Sequence, residues 1–247
     1  MRFLILSDIH GNWEALRAVL AHVRRKRYDR TVFLGDAVGY GGSPNHVVDW
    51  LRSLGPPAVA VRGNHDRVCA GLDSADYFNR YARDACLWTL DTLDARNLDY
   101  LRQLPQGPLE LNPGTIVCHG SSIDEDAYIF SAYDAQGVFS ASEASLAFFG
   151  HTHVPSMFSL AADGLRMEML TGARVVLDLD PESRYLVNPG SVGQPRDHDP
   201  RASYALFDED QRRVFLYRVP YRVGVARRRI LQAGLPPVLG DRLLYGA

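Results

Sequence analysis

The sequence predicts an α/β domain organised on a largely parallel sheet, and three observations predict it. Short continuous apolar runs at 3–6, 31–34 and 58–61 read as buried strands. Segments with apolar residues at helical spacing separate them, which is the grammar of parallel strands joined by helices. Each run ends abruptly in acids, amides or imidazoles. With 247 residues, 46% of them hydrophobic, the chain can bury one sizeable core, and a single domain over 1–247 is the simplest reading.

Taken in order, the run at 3–6 leads into Asp8-Ile9-His10-Gly11-Asn12. The next segment sets Trp13, Leu16, Val19, Leu20 and Val23 on one helical face. Asn12 is placed to cap it, and residues 24–27 put positive charge at its carboxyl end. The second strand ends at Gly35-Asp36. Ser43-Pro44 then opens a helix carrying Val47, Val48, Leu51 and Leu54. The third strand delivers Gly63-Asn64-His65-Asp66, where Asp66 is positioned to orient the neighbouring imidazole. Residues 74–104 read as two helices, the second marked by Leu98, Leu101 and Leu104 and stopped by Pro105; they form a helical cap segment beside the sheet. The second half is richer in strands. Runs at 109–111, 115–118 and 146–149 lead to His119-Gly120 and Gly150-His151-Thr152-His153. Asp163-Gly164 and Glu209-Asp210 signal hairpins, and 223–232 reads as a helix closed by Gly234 and Pro236. The polar interval 121–145 is the least structured stretch and reads as a mobile loop.

Composition excludes several functions. A formal net charge of −2, from 27 basic and 29 acidic residues, advertises neither a nucleic-acid nor an anionic-membrane partner. A nuclease would want a basic groove, and the Arg227-Arg228-Arg229 run reads as a solvated helix face. The run at 3–6 is too short for a signal core or a membrane span. Cys69, Cys86 and Cys118 are scattered and odd in number, which predicts reduced thiols and a soluble, cytoplasmic protein.

Five strand ends carry Asp8 and His10; Asp36; Asn64 and His65; His119; then His151 and His153, which accounts for five of the eight histidines. Alternation along a strand lets Asp8 with His10, and His151 with His153, each present two donors to one point. Any single pair is an ordinary polar turn, but five such turns at one sheet edge form a constellation. The donors are too many for one zinc and suit two metals sharing a carboxylate. Oxygen and imidazole donors without thiolate favour manganese, iron, zinc or cobalt, with manganese preferred. His65 is then left to protonate a departing oxygen.

The ordered set Asp8-x-His10, Gly35-Asp36, Gly63-Asn64-His65-Asp66, His119 and Gly150-His151-Thr152-His153, with Asn188-Pro189-Gly190-Ser191 later, resembles the calcineurin-like metallophosphoesterase superfamily. Within it the chain is similar to the small stand-alone prokaryotic phosphoesterases. The resemblance implies a four-layer α-β-β-α sandwich of two mixed sheets with a di-metal site at the sheet edge. It implies that Asp8, His10, Asp36 and His153 hold one metal, that Asp36, Asn64, His119 and His151 hold the second, and that His65 is the proton donor. The implied activity is hydrolysis of a phosphate ester by metal-bound hydroxide, with a small phosphate ester as partner and no membrane.

Two departures bear on substrate. The protein phosphatases and symmetrical diadenosine tetraphosphate hydrolases have arginine where this chain has Tyr40, and the protein phosphatases have Asp where it has Gly39. Tyr40 thus offers an aromatic surface in place of a charged clamp. With Tyr128, Phe130 and Tyr133 it favours a phosphodiester arm. Arg67 or Arg196 is a stand-in for the clamp, although each reads more simply as a solvated surface residue. Phosphoprotein or dinucleoside polyphosphate hydrolysis is the alternative activity. A protein-binding scaffold of the same fold would lack ligands, and here every position is filled.

Overall fold

The computed structural model describes residues 1–247. Its first half contains β1 (Arg2–Leu6), α1 (Trp13–Val23), β2 (Arg30–Phe33), α2 (Pro44–Ser53), β3 (Val59–Ala60), α3 (Asn64–Cys69), α4 (Arg80–Thr92) and α5 (Ala95–Gln103). Then come β4 (Leu109–Asn112), β5 (Thr115–Val117), α6 (Ala132–Ala141), β6 (Leu146–Phe148), β7 (Ser156–Ala161) and β8 (Gly164–Met169). The chain ends with β9 (Arg174–Asp178), β10 (Arg184–Asn188), β11 (Ala202–Asp208), β12 (Arg213–Val219), α7 (Val223–Gln232) and α8 (Pro237–Asp241).

The strands make two six-stranded mixed sheets, ordered β3-β2-β1-β11-β12-β9 and β4-β5-β6-β10-β7-β8. In the first, β1, β2 and β3 are parallel and β11, β12 and β9 antiparallel; in the second, β5, β6 and β10 are parallel. The largely parallel expectation therefore holds only for the strands that lead to the polar clusters. Strand alternation assigns the layers. On β1, Phe3 and Ile5 join Val117, Phe148 and Val187 of the other sheet in a core between the sheets. Leu4 and Leu6 point the opposite way, onto Leu16 and Val19 of α1 and Val47 and Leu51 of α2. On the far side of the second sheet, Ala147 and Leu186 pack against Ala135, Val138 and Phe139 of α6. This gives helices, sheet, sheet, helix, each fully buried Leu, Ile or Phe contributing about 1.5–3 kcal/mol.

Local signals explain the helix positions. The Asn12 side chain accepts from the Ala15 amide at 3.1 Å, and Pro44 occupies the first turn of α2. Where the sequence suggested a mobile loop at 121–145, α6 forms instead. Ser131 and Asp134 make a reciprocal capping box, with Ser131 N–H donating to Asp134 at 2.9 Å. Only Ala135, Val138 and Phe139 of this helix are buried, a stripe too thin to stand out from the polar residues around it. The β7–β8 hairpin pairs Ala161 with Gly164, so its turn is one residue earlier than Asp163-Gly164 suggested. The arginine run of α7 is not a bare solvated face: Arg229 pairs with Glu14 at 2.5 Å and Arg227 with Asp241 at 2.7 Å.

Candidate metal centre

The polar clusters meet at one end of the sandwich. Asp8 and His10 follow β1, Asp36 follows β2, and Asn64 and His65 open α3 after β3, all from the first sheet. His119 follows β5, and His151 and His153 follow β6, from the second. Residues of a strand would alternate in direction, but these ligand candidates have left the strands. Asp8, His10, Asp36, His151 and His153 all adopt left-handed backbone, with φ between 49° and 64°. That is how Asp8 and His10 come to share a point, in place of the strand alternation the sequence suggested, whereas His151 and His153 part company, each joining a different donor group. Such conformations cost L-residues about 1–2 kcal/mol each and persist where surroundings over-determine them.

Two donor groups result. Asp8, His10, Asp36 and His153 bring one ligand atom each to within 4.8 Å of one another, and so do Asp36, His119 and His151. Asp36 belongs to both. Its Oδ2 is 3.5 Å from His10 Nε2 and 3.4 Å from His119 Nε2. Asn64 Oδ1 adds a neutral oxygen 3.2 Å from His119 Nε2.

Backbone carbonyls fix the ring orientations. His10 Nδ1 lies 3.0 Å from Val38 O, His119 Nδ1 2.8 Å from Leu34 O, and His153 Nδ1 2.6 Å from Gln194 O. His151 is reversed, with Nε2 3.1 Å from Asp126 O and Nδ1 turned toward His119. The outer nitrogen of each ring therefore donates, which leaves the inner nitrogens of His10, His151 and His153 with lone pairs. Burial opposes charge on His119, but Asp36 outweighs it and raises that ring to about 10, so a cation bound there must displace its inner proton. Burial drives His10 and His153 far below the usual imidazole range. It brings His151 to about 3 with help from the charge of His119, so these rings are neutral, the form that ligates. Burial opposes charge on Asp36, yet the imidazoles of His119 and His65 hold it well below the ordinary carboxylate range.

This arrangement fits divalent cations on its own evidence. Both carboxylate oxygens of Asp8 and Oδ2 of Asp36 are buried without a hydrogen-bond partner. His10 Nε2 and His153 Nε2 face one another at 3.1 Å as two lone pairs with no proton between them. Buried acceptors so arranged are costly until something positive lies among them.

The loops are stapled from behind. Asp66 does not orient His65, as the sequence suggested; its carboxylate accepts from the backbone amides of Asp36 at 2.8 Å, Val38 at 3.2 Å and Gly63 at 3.1 Å. Asn188 donates to Gly150 O at 2.7 Å, and Ser191 Oγ to Asp8 O at 2.8 Å, so the Asn188-Pro189-Gly190-Ser191 segment ties both sheets' loops together. His65 has another partner, the buried Cys86 of α4, whose Sγ is 3.3 Å from Nδ1. Burial works against a charged His65, but Cys86 and Asp36 outweigh it and raise its pKa. Nothing in the spacing of three scattered cysteines pointed to this contact.

The substrate-facing candidates divide. Tyr40 is not an open aromatic surface: it is buried between His10, at 4.7 Å between ring centres, and His65, at 4.4 Å, and packs on Ala82, Ile230 and Leu239. Neither arginine is a solvated surface residue. Arg67 is committed to Asp73, Glu125 and Asp126, and so fixes the turn whose Asp126 carbonyl holds His151. Arg196 donates to Gln194 at 3.1 Å, lies over the Tyr40 ring, and keeps a buried Nε without a partner. His22 of α1 lies away from the centre and meets the Tyr204 hydroxyl at 3.1 Å. Beside His151, Tyr128 stacks at 3.9 Å between ring centres and continues onto Phe130. A groove of about 340 Å³ opens there, walled by Phe130, Val154, Pro155, Met167 and Met169, with Thr152 and Arg196 on its inner side.

Comparison with known proteins agrees with this geometry. Residues 1–212 match the calcineurin-like phosphoesterase superfamily domain. The chain is 39% identical over 246 residues to the uncharacterized protein MJ0912 of Methanocaldococcus jannaschii, covering 98% of this chain and 97% of that one. A metallophosphoesterase from Sphaerobacter thermophilus superposes with a TM-score of 0.87 at 42% identity, over 100% of this chain and 99% of the other. The symmetrical bis(5'-nucleosyl)-tetraphosphatase of Yersinia pestis is 35% identical over 107 residues, which cover 42% of this chain and 37% of that protein.

Proposed function

Because the chain belongs to the calcineurin-like phosphoesterase superfamily, a family of hydrolases acting on phosphate esters, we propose that it is a two-metal phosphodiesterase. The observation that carries the reading is the position of Asp36 Oδ2, within 3.5 Å of one imidazole from each donor group. Asp8, His10, Asp36 and His153 hold one ion, and Asp36, Asn64, His119 and His151 hold the second. Nitrogen and oxygen donors without sulfur favour manganese over calcium or magnesium, with iron, zinc and cobalt as competitors. When bound, the two ions supply the charge that neutralises phosphoryl oxygens and acidifies the attacking water. The chain's residues do the rest. Arg196, which lines the groove beside Thr152, is the cation placed to meet a phosphoryl oxygen, and His65 gives its proton to the departing alkoxide. Three free, buried thiols accord with a cytoplasmic setting.

The diester preference rests on the groove. A monoester dianion needs no second arm, whereas a diester carries one that must be accommodated. The groove begins at Thr152, between His151 and His153, and is lined by an aromatic ring and thioethers suited to a flat apolar group. The test compares kcat/KM for a monoester and an aryl diester with the same leaving group and metal. We expect the diester to be preferred and the preference to fall in Met169→Lys. A monoester preference above tenfold, about 1.4 kcal/mol of transition-state binding, would overturn the diester reading. Absence of turnover on any ester with manganese, cobalt or zinc present would overturn the phosphoesterase reading itself.

A further inference from the structure

Four imidazoles of the centre are held by backbone carbonyls; His65 alone is held by a side chain. Its ring lies between Tyr40, at 4.4 Å, and Phe78, at 4.5 Å, with the edge of His10 at 4.9 Å. These contacts restrict tilt but cannot tell one ring nitrogen from the other, because apolar faces are indifferent to which carries the proton. Only the Nδ1 contact to Cys86 can. Gly39, the nearest backbone on that side, leaves no room for a side chain that could accept from the ring, since a Cβ there would begin 2.6 Å from Nδ1. The same nitrogen is served instead by a side chain from a helix, Cys86 of α4.

We propose that Cys86 is the positioning residue for His65: its sulfur accepts the Nδ1–H hydrogen bond, which leaves Nε2 as the nitrogen that serves the leaving oxygen. The inference rests on the proton-donor role proposed for His65. Sulfur is a soft, polarisable acceptor, suited to a buried place beside Asp36 and Asp66. Cys69, on the same helix as His65, is buried in the same core as Cys86.

Two measurements test the assignment on the full-length protein. The first is the two-bond ¹H–¹⁵N spectrum of His65 in metal-free protein, recorded where the ring is neutral. Nδ1 should carry the proton in the wild type and in Cys86→Ser, which keeps an acceptor, and both tautomers should appear in Cys86→Ala. The second is leaving-group dependence with manganese bound. His65→Asn should lose roughly 10²- to 10⁴-fold in kcat for an alkoxide leaving group. Cys86→Ala should lose about 10- to 100-fold, as misplacement of a catalytic group does, with both losses shrinking for nitrophenolate. A single Nδ1–H tautomer in Cys86→Ala, or an alanine loss equal for both leaving groups, would overturn the role of Cys86 while leaving His65 as donor. An equal loss in His65→Asn would instead overturn the donor reading. Cys86→Ser separates the contact from the fold: if it behaves as alanine does, sulfur's acceptor role is refuted.

Discussion

Asp36 concentrates the demands on a single side chain. Its Oδ1 accepts the His65 amide at 2.9 Å, which turns Oδ2 toward both donor groups. The carboxylate is fully buried and its residue is left-handed, with φ of 60°, a conformation aspartate tolerates better than most. Asp36→Asn keeps the shape and removes the charge. We expect both ions to be lost together, and activity to fall by more than about 100-fold, the loss seen when even supporting groups of a metal site are removed. Metal analysis of the purified variant decides: a full complement of two ions would show that the charge is not shared. Tyr40 teaches the opposite lesson at this scale. From its position in the chain it looked available to substrate, yet packing against Ala82 and Ile230 removes it from solvent, where burial pushes its hydroxyl up to about 12.

Loops between elements, more than the elements themselves, hold the centre. At Gly63 the backbone is ordinary extended chain, so any residue satisfies its φ, but a Cβ there would meet Asp36 Oδ1 at 2.0 Å. Gly63→Ala should displace the Asp36 loop, cost about 1–3 kcal/mol as overpacking does, and abolish metal binding. Denaturant melts and manganese titration check both, and wild-type affinity would refute the account. The strands before these loops were legible because their apolar runs stop sharply at Ser7, Gly35 and His119, and the ligand set was legible because it falls at those stops. What holds the ligands in place was not. The carbonyls of Val38, Leu34, Asp126 and Gln194 belong to no side-chain pattern, and a thiol 21 residues from His65 leaves no local trace. Helix α6 escaped for another reason: its one strong signal, Ser131 with Asp134, marks a start without an apolar stripe to follow.

Across the whole molecule, the donors come from both sheets, with Asp8, His10, Asp36 and Asn64 on one side and His119, His151 and His153 on the other. Cations there bridge two layers that otherwise meet through apolar contact. Ligand bound only to the folded state stabilises it, by about 2.7 kcal/mol at a hundredfold excess over Kd. For a chain of this size that is roughly 5–10 °C in Tm. Manganese added to chelator-treated protein should raise Tm by that much. Calcium should do so less, since imidazole is a poor ligand for it. A Tm that manganese leaves unmoved would show that the centre does not clasp the layers. The pairing of β1 adds a matter of timing. Arg2 lies opposite Asp208, so β1, the strand that leads to Asp8 and His10, sits between a neighbour close in sequence, β2, and a distant one, β11. During synthesis one flank of β1 therefore stays open long after β2 has covered the other, and the sheet closes around that strand only once β11 is available to pair.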